Sequence, residues 1–313
     1  MMSGESWNMD CGEMKDSLGG LDKLVLPPAC RESLEQIRET HKEMNGEELV
    51  KLLGKIDLSD QRNEVGTLVS LWLLDPHQRD AVTARNAFEH GDTNYKSLLE
   101  IYCGRKSSHI LFIKQRYQTM FRRQLDQDII NAEPPSPYQR MLIAMAASHK
   151  SHHVDISQHI AKCDARRLYK TGEGRPGAIE ESVVLEIFSK RSIPQLKITF
   201  STYKRIYGHD YEKSLKKEVN GELGDAIRNV VQCLCNPAKH YAEILYSSIK
   251  GKIADKSASV RVIMDRAGID MDDIQRVFKT KYGMELRDAI YEGVASGDCR
   301  DFLVALASMR SSY

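Results

Sequence analysis

Along this chain, apolar residues return at every third or fourth position, with polar residues between them. Over 271–290 the stripe is Met271, Ile274, Phe278, Tyr282, Leu286 and Ile290. Over 109–129 it is Ile113, Tyr117, Phe121, Leu125 and Ile129. That spacing lines one face of a helix and turns it toward a core. The period-2 alternation of a strand is almost absent. The pattern predicts an all-α protein built from many short helices broken by polar loops.

The stripe carries a local signature that recurs. An aromatic residue is followed four positions later by a second anchor, often Tyr-Gly, and then by another amphipathic helix. It reads FKTKYGMELRDAI (278–290), YKRIYGHDYEKSL (203–215), YQTMFRRQLDQDI (117–129) and, more weakly, HKEMNGEELVKLL (41–53). The second anchors Asn45, Phe121, Tyr207 and Tyr282 are 76, 86 and 75 residues apart. Each copy runs on into a third apolar helix: VGTLVSLWLL (65–74), RMLIAMAAS (140–148), AIRNVVQCL (226–234) and FLVALASM (302–309). Four copies of one multi-helix unit result. They exceed the roughly 34–47 residues of common short helical repeats, and each can hold about five short helices. The longer middle spacing falls at AASHKSHHVD (146–155), a polar linker. The implied division is 1–73, 74–148, a linker at 149–156, then 157–235 and 236–313.

Composition narrows the function. The 313 residues hold 45 basic and 44 acidic side chains, a net charge of +1. No global field for a polyanion follows, which argues against nucleic acid as a partner. Apolar runs such as MLIAMAA (141–147) are far short of a bilayer span, so no transmembrane segment is expected. The N-terminus carries Glu5, Asp10 and Glu13 without a basic-then-apolar order, so no secretory signal is expected. Seven scattered cysteines show neither metal spacing nor a disulfide framework, which favours a reducing cytosol.

Four segments carry a family resemblance. LDPHQRDA (74–81) and CNPAKHYAEIL (235–245) resemble the opening of a first repeat helix in the annexins. EIYCGRKSSHI (100–110) and EIFSKRSIPQL (186–196) resemble that family's helix-loop-helix joint. The likeness, specifically to the plant branch, covers residues 30–313. It implies a curved all-α disc of four repeats with five helices each. It also implies a cytoplasmic protein, reversibly membrane-associated, that binds anionic phospholipid peripherally through calcium. In plants that activity is associated with stress responses. In the family, a Gly-x-Gly-Thr loop turns backbone carbonyls outward and a later carboxylate completes the cage. Calcium takes about six to eight oxygens, so open positions remain for lipid phosphate.

Every copy departs from that loop. In the first, GGLD (19–22) precedes Pro27 and Pro28, where the second helix should run. Asp57 is the stand-in acid there, and this repeat is expected to be the least stable. In the second, FEHGDTNYKSLLEI (88–101) has one glycine. The third, TGEGRPGAIEES (171–182), is richest, with Gly172, Gly174 and Gly177, and Glu180 and Glu181 beside them. Glu218 takes the acid's place, 39 residues after Ile179, although Ala178 and Ile179 replace the Gly-Thr. In the fourth, Ile249, Gly251 and Ile253 offer the carbonyls, with Glu292 as nearest acid and Asp298 as second choice. The resemblance therefore implies calcium as cofactor with weakened or absent binding, the third loop first and the fourth next. Arg175, Lys250, Lys252 and Lys256 are the lipid-facing candidates. The lysines could meet anionic lipid without calcium, at about 1 kcal/mol each near a charged surface.

Other constellations read more simply. His149, His152, His153 and His159, with Cys163, form a polar linker running into a helix rather than a zinc site, because only two of them share a helical face. His149 to His153 could titrate near neutral pH and help docking on an acidic membrane. Cys103 and Cys233 match a cysteine pair of plant annexins, a candidate redox pair. Leu99 stands where that cluster has methionine, which favours two small buried residues. The histidine associated with peroxidase activity in some plant annexins maps near Pro28 and is missing. Arg116, Arg122 and Arg123 read as a solvated basic helix face. GEGRPG (172–177) lacks the ending of a phosphate loop. No nucleophile–base pair suggests an enzyme. The alternatives are a scaffold of the same fold without calcium-dependent membrane binding, a redox-sensitive stress protein, or a nucleotide-hydrolysing enzyme.

Overall fold

The computed structural model describes residues 68–69, 71–72, 74–89, 93–149, 156–174, 179–218, 221–251 and 256–309. Among them the regular structure is entirely helical: helical positions at 68–69 and 71–72 precede three successive groups of five helices. The first group is α1 (Pro76–Asn86), α2 (Tyr95–Gly104), α3 (Ser107–Phe121), α4 (Leu125–Ile130) and α5 (Pro137–Ser148). The second is α6 (Gln158–Lys170), α7 (Glu181–Lys190), α8 (Ile193–Tyr207), α9 (Tyr211–Glu218) and α10 (Glu222–Cys235). The third is α11 (Pro237–Lys250), α12 (Lys256–Arg266), α13 (Met271–Tyr282), α14 (Leu286–Gly293) and α15 (Asp298–Ala307). The chain divides into two compact units, Asp80–Tyr241 and the terminal stretches Met1–Arg79 with Ala242–Tyr313. Asp57, Pro27 and Pro28 lie outside the described residues.

The apolar stripes are the core. Ile113, Tyr117, Phe121, Leu125 and Ile129 are buried, as are Met271, Ile274, Phe278, Leu286 and Ile290. Each stripe crosses from a long helix into a short one without losing phase. The crossing is a single left-handed residue: Arg122 after α3, Gly208 after α8 and Gly283 after α13, with φ of 56°, 79° and 71°. Glycine takes that conformation freely, whereas Arg122 takes it against its Cβ. Polar caps start the helices. Ser136, Ser157 and Ser192 each accept a backbone N–H from three residues ahead, at 3.2, 3.3 and 3.4 Å.

Within Asp80–Tyr241, α5 packs on α2, α7 and α10, and α10 also packs on α2. Helix α6 runs against α8. Two ion pairs inside this unit repeat the same geometry. Arg105, at the joint after α2, forks onto Asp80 of α1 at 2.6 and 2.9 Å. Arg191, at the joint after α7, forks onto Asp164 of α6 at 2.6 and 3.1 Å. Both aspartates are 1% exposed. In the third group Tyr241 takes the aspartate's place, and Arg266 pairs locally with Asp270 at 2.7 Å. In the remaining unit Arg79 spans sequence-distant chain, donating to the carbonyls of Trp72, Leu74 and Met264.

Removing one partner of a buried pair strands the other charge. Arg105→Met and Arg191→Met should each destabilise the protein by about 3–5 kcal/mol in urea unfolding. Arg276→Ala, at an exposed pair with Asp273, should cost about 0–1 kcal/mol. Equal effects at all three positions would contradict this packing.

Candidate metal centre

The third loop leaves α6 at Lys170. The backbone N–H of Gly174 returns to the carbonyl of Tyr169 at 2.8 Å, and the N–H of Glu180 bonds the carbonyl of Thr171 at 3.0 Å, closing the loop's base. Glu173 is held from α8 and the turn after it: the Tyr203 hydroxyl donates to it at 3.1 Å, and His209 Nε2 lies 2.7 Å away. Burial pushes the Tyr203 hydroxyl pKa up. Tyr169 stacks on Tyr207 with centroids 4.0 Å apart and planes 7° from parallel. Gly174 lies flat against that stack, and a Cβ there would stand 2.5 Å from a Tyr169 ring carbon.

The third group repeats the stack. Tyr246 lies on Tyr282 at 3.8 Å and 3°. The two stacks bring two loops into register. Gly172 follows Tyr169 by three residues, as Ile249 follows Tyr246; Glu218 follows Tyr207 by eleven, as Gly293 follows Tyr282. In the third group these positions touch. A Cβ on Gly293 would stand 2.8 Å from the carbonyl oxygen of Ile249. The sequence count selects Glu292 as the fourth loop's acid, but the counterpart of Glu218 is Gly293. Glu292, one residue earlier, carries the ammonium of Lys250. In the first described group Arg85 replaces the stacking tyrosine. It pairs with Glu89 at 2.6 Å, and the counterpart of Glu218 is Ala132.

The residues present can be tested against calcium, which wants several hard oxygens. The third loop fits. Gly172 and Gly174 leave the backbone bare of side chains, and Glu218, eleven residues after Tyr207, matches by count the position that Gly293 holds beside Ile249. Glu173 is already committed to Tyr203 and His209. The fourth loop does not fit. It has no side chain at the carboxylate's position, the Ile249 carbonyl is turned onto α14, and the nearest acid is paired with a lysine. Gly251 follows as part of the chain leaving α11, its N–H bonded to the Ser247 carbonyl at 2.9 Å. Arg175, Gly177, Lys252 and Ile253 lie outside the described residues. Glu218 ends α9 and Lys256 begins α12. No group of three or more potential metal-ligating side chains occurs among the described residues. A site built on backbone carbonyls does not require one.

The structure brings Cys103 of α2 and Cys233 of α10 together, both buried and unbridged. The hydrogen bond with Cys233 holds the proton on Cys103, and burial adds to it, so its pKa stands well above that of a free thiol. A protonated, buried thiol is a poor nucleophile. Arg123 is no freely solvated cation: it forks onto Asp128 at 2.7 and 2.8 Å. His159 and Cys163 meet at 3.7 Å on one exposed face of α6. The sequence reading missed Tyr169, His209 and the Lys250–Glu292 contact. The available signal was a tyrosine at the same offset before both loops.

These features define a class, an all-α protein of repeated five-helix groups with a glycine-bearing loop at one end of a first helix. The annexin family model matches residues 79–145, 163–230 and 240–306. Annexin A13 of Mus musculus is 31% identical over 283 residues, 90% of this chain and 87% of that protein. Annexin A4 of Rattus norvegicus is 33% identical over 312 residues, 97% of this chain and 95% of that protein. Among solved structures, annexin III aligns with a TM-score of 0.68 at 28% identity, covering 85% of this chain and 89% of its own. A calcium-bound annexin (Sm)1 structure shares the fold at 20% identity and a TM-score of 0.67. The chain belongs to the annexin family, whose activity is calcium-dependent phospholipid binding. No helix among the described residues is long and apolar enough to cross a membrane.

His149, expected as a docking group, is instead a brace. Its Nε2–H donates to the Tyr102 carbonyl at 2.6 Å, and Nδ1 accepts from the Ser107 hydroxyl at 3.0 Å. Burial pushes its pKa down, only partly offset by the bond to Tyr102, and Lys114 lowers it further. His152 and His153 lie outside the described residues. The unfolded chain therefore takes up the proton more readily than the folded one. Stability from this group is full above the ordinary histidine value of about 6.5 and is lost as pH falls through it. Thermal melts from pH 7.5 to 5 should show a falling melting temperature that His149→Gln flattens. An identical slope in the variant would contradict the assignment.

Proposed function

We propose that this protein binds anionic phospholipid membranes peripherally and that calcium acts through the third repeat. The observation that carries this reading is the pair of stacked tyrosines: counted from them, Gly172 and Glu218 match the touching Ile249 and Gly293 of the next repeat. Gly174 and Gly177 extend the carbonyl set. Calcium bound there would supply open coordination positions for lipid phosphate. The chain's own residues shape the loop: Glu173 ties it to His209 and Tyr203, and the Gly174 backbone lies against Tyr169. The Gly-Thr replacement by Ala178 and Ile179 supports weaker calcium binding than the family pattern gives.

Arg175, Lys252 and Lys256 are the lipid-facing cations in this reading. Lys250 is not among them, because Glu292 neutralises it. The repeats are taken as 1–73, 74–148, 157–235 and 236–313, with a linker at 149–156. The fivefold helix grouping supports the last three. The Cys103–Cys233 contact supports the likeness to the plant branch. The burial of both sulfurs favours a packing role over redox chemistry. The protein is read as cytoplasmic and non-enzymatic.

Co-sedimentation with phosphatidylserine-containing liposomes tests the proposal. Binding should require calcium, and Glu218→Gln should raise the calcium needed for half-binding by about tenfold or more, since a charged ligand is lost. Binding that persists in chelator and fades with salt would mean simple electrostatic attachment. No binding under any condition would favour the scaffold reading.

A further inference from the structure

We propose that Lys250 is the fourth repeat's built-in cation, placed on Glu292 where a calcium-binding repeat would recruit a metal ion. Three observations converge on one joint, where the end of α11 meets the end of α14. The first is steric. Gly293 holds the position that Glu218 holds in the third repeat, and it lies on the Ile249 backbone. A Cβ at Gly293 would be 2.8 Å from the Ile249 carbonyl oxygen and 3.5 Å from its carbon, so the oxygen points at α14. That oxygen is covered by the chain itself.

The second observation is the ion pair. The Lys250 ammonium contacts the Glu292 carboxylate, 42 residues away in sequence. The third is a reversal of charge. Lys250 stands four residues after its stacking tyrosine, where Glu173 stands in the third repeat. Glu89 occupies the matching place in the second, four residues after Arg85. In each case this residue is tied down: Glu89 to Arg85, Glu173 to His209, Lys250 to Glu292. Among the described repeats, the fourth alone makes this tie with a cation reaching toward an acid at the end of the short helix.

A divalent ion approaching Glu292 would have to displace the ammonium and then remain beside it. At a separation of about 5 Å in a water-like dielectric, that repulsion alone weakens binding roughly tenfold. The α11–α14 joint is therefore closed without metal and stays closed when calcium arrives. This inference deepens the membrane reading only in taking the loops as the family's cation sites. It assigns the calcium response to the third repeat and withdraws the fourth.

A double-mutant cycle on the full chain tests it. Lys250→Met, which keeps the aliphatic stem, Glu292→Gln and the pair would be melted in chelator and in excess calcium. Each single variant should lower the melting temperature by about 1–3 °C, as expected for an exposed pair. The coupling should be the same in both buffers. Calorimetric calcium titration of Glu292→Gln should match the parent protein. Absence of coupling, coupling erased by calcium, or a calcium equivalent lost in Glu292→Gln would each overturn the proposal. Failure of the membrane reading is seen separately, as liposome binding unaffected by Glu218→Gln.

Discussion

Two carboxylates inside a hydrophobic unit set the terms for this structure. Asp80 and Asp164 have almost no contact with solvent, and a buried charge is tolerable only when paired and hydrogen-bonded. Each is met by an arginine from the joint after the next helix. The requirement ties the first helix of a repeat to the end of its second and leaves the loop between them as the free segment. The loop can change residues without disturbing the frame, because the frame is held from outside it. The third group lacks the aspartate, and there the arginine turns to a neighbour four residues away.

The stacked tyrosines do for the loops what the ion pairs do for the helices. Aromatic pairs of this kind are worth about 0.5–1.5 kcal/mol beyond their burial. More important here is register: counted from each stack, the same offsets lead to the first residues of the loop and to the end of the short fourth helix. Equivalent positions then carry different residues. In the third repeat they hold Gly172 and Glu218. In the fourth they hold Ile249 and Gly293, which pack on each other, and the neighbouring acid is left to a lysine.

The helices were legible because burial and helical period act on neighbouring residues. The stripes through Phe121 and Phe278 named core positions, and they stayed in phase across the left-handed turns at Arg122 and Gly283. The candidate site was legible only in part. Counting along the chain gave Glu292 for the fourth loop, because spacing tolerates a one-residue shift that a packed joint does not. The Lys250–Glu292 pair has no sequence signature, since its partners are 42 residues apart. His149 looked like a titrating surface group, and only its contacts with Tyr102 and Ser107 revealed a brace. The commitment of Glu173 to His209 appears only in three dimensions.

Calcium discrimination between two loops of one fold is the centre of this account. Anomalous diffraction from crystals of the full chain grown in calcium tests it directly. The account predicts an anomalous peak at the third loop, between the Gly172–Gly177 backbone and Glu218, and none at the fourth. A peak against Glu292, or a third loop without calcium, would contradict it.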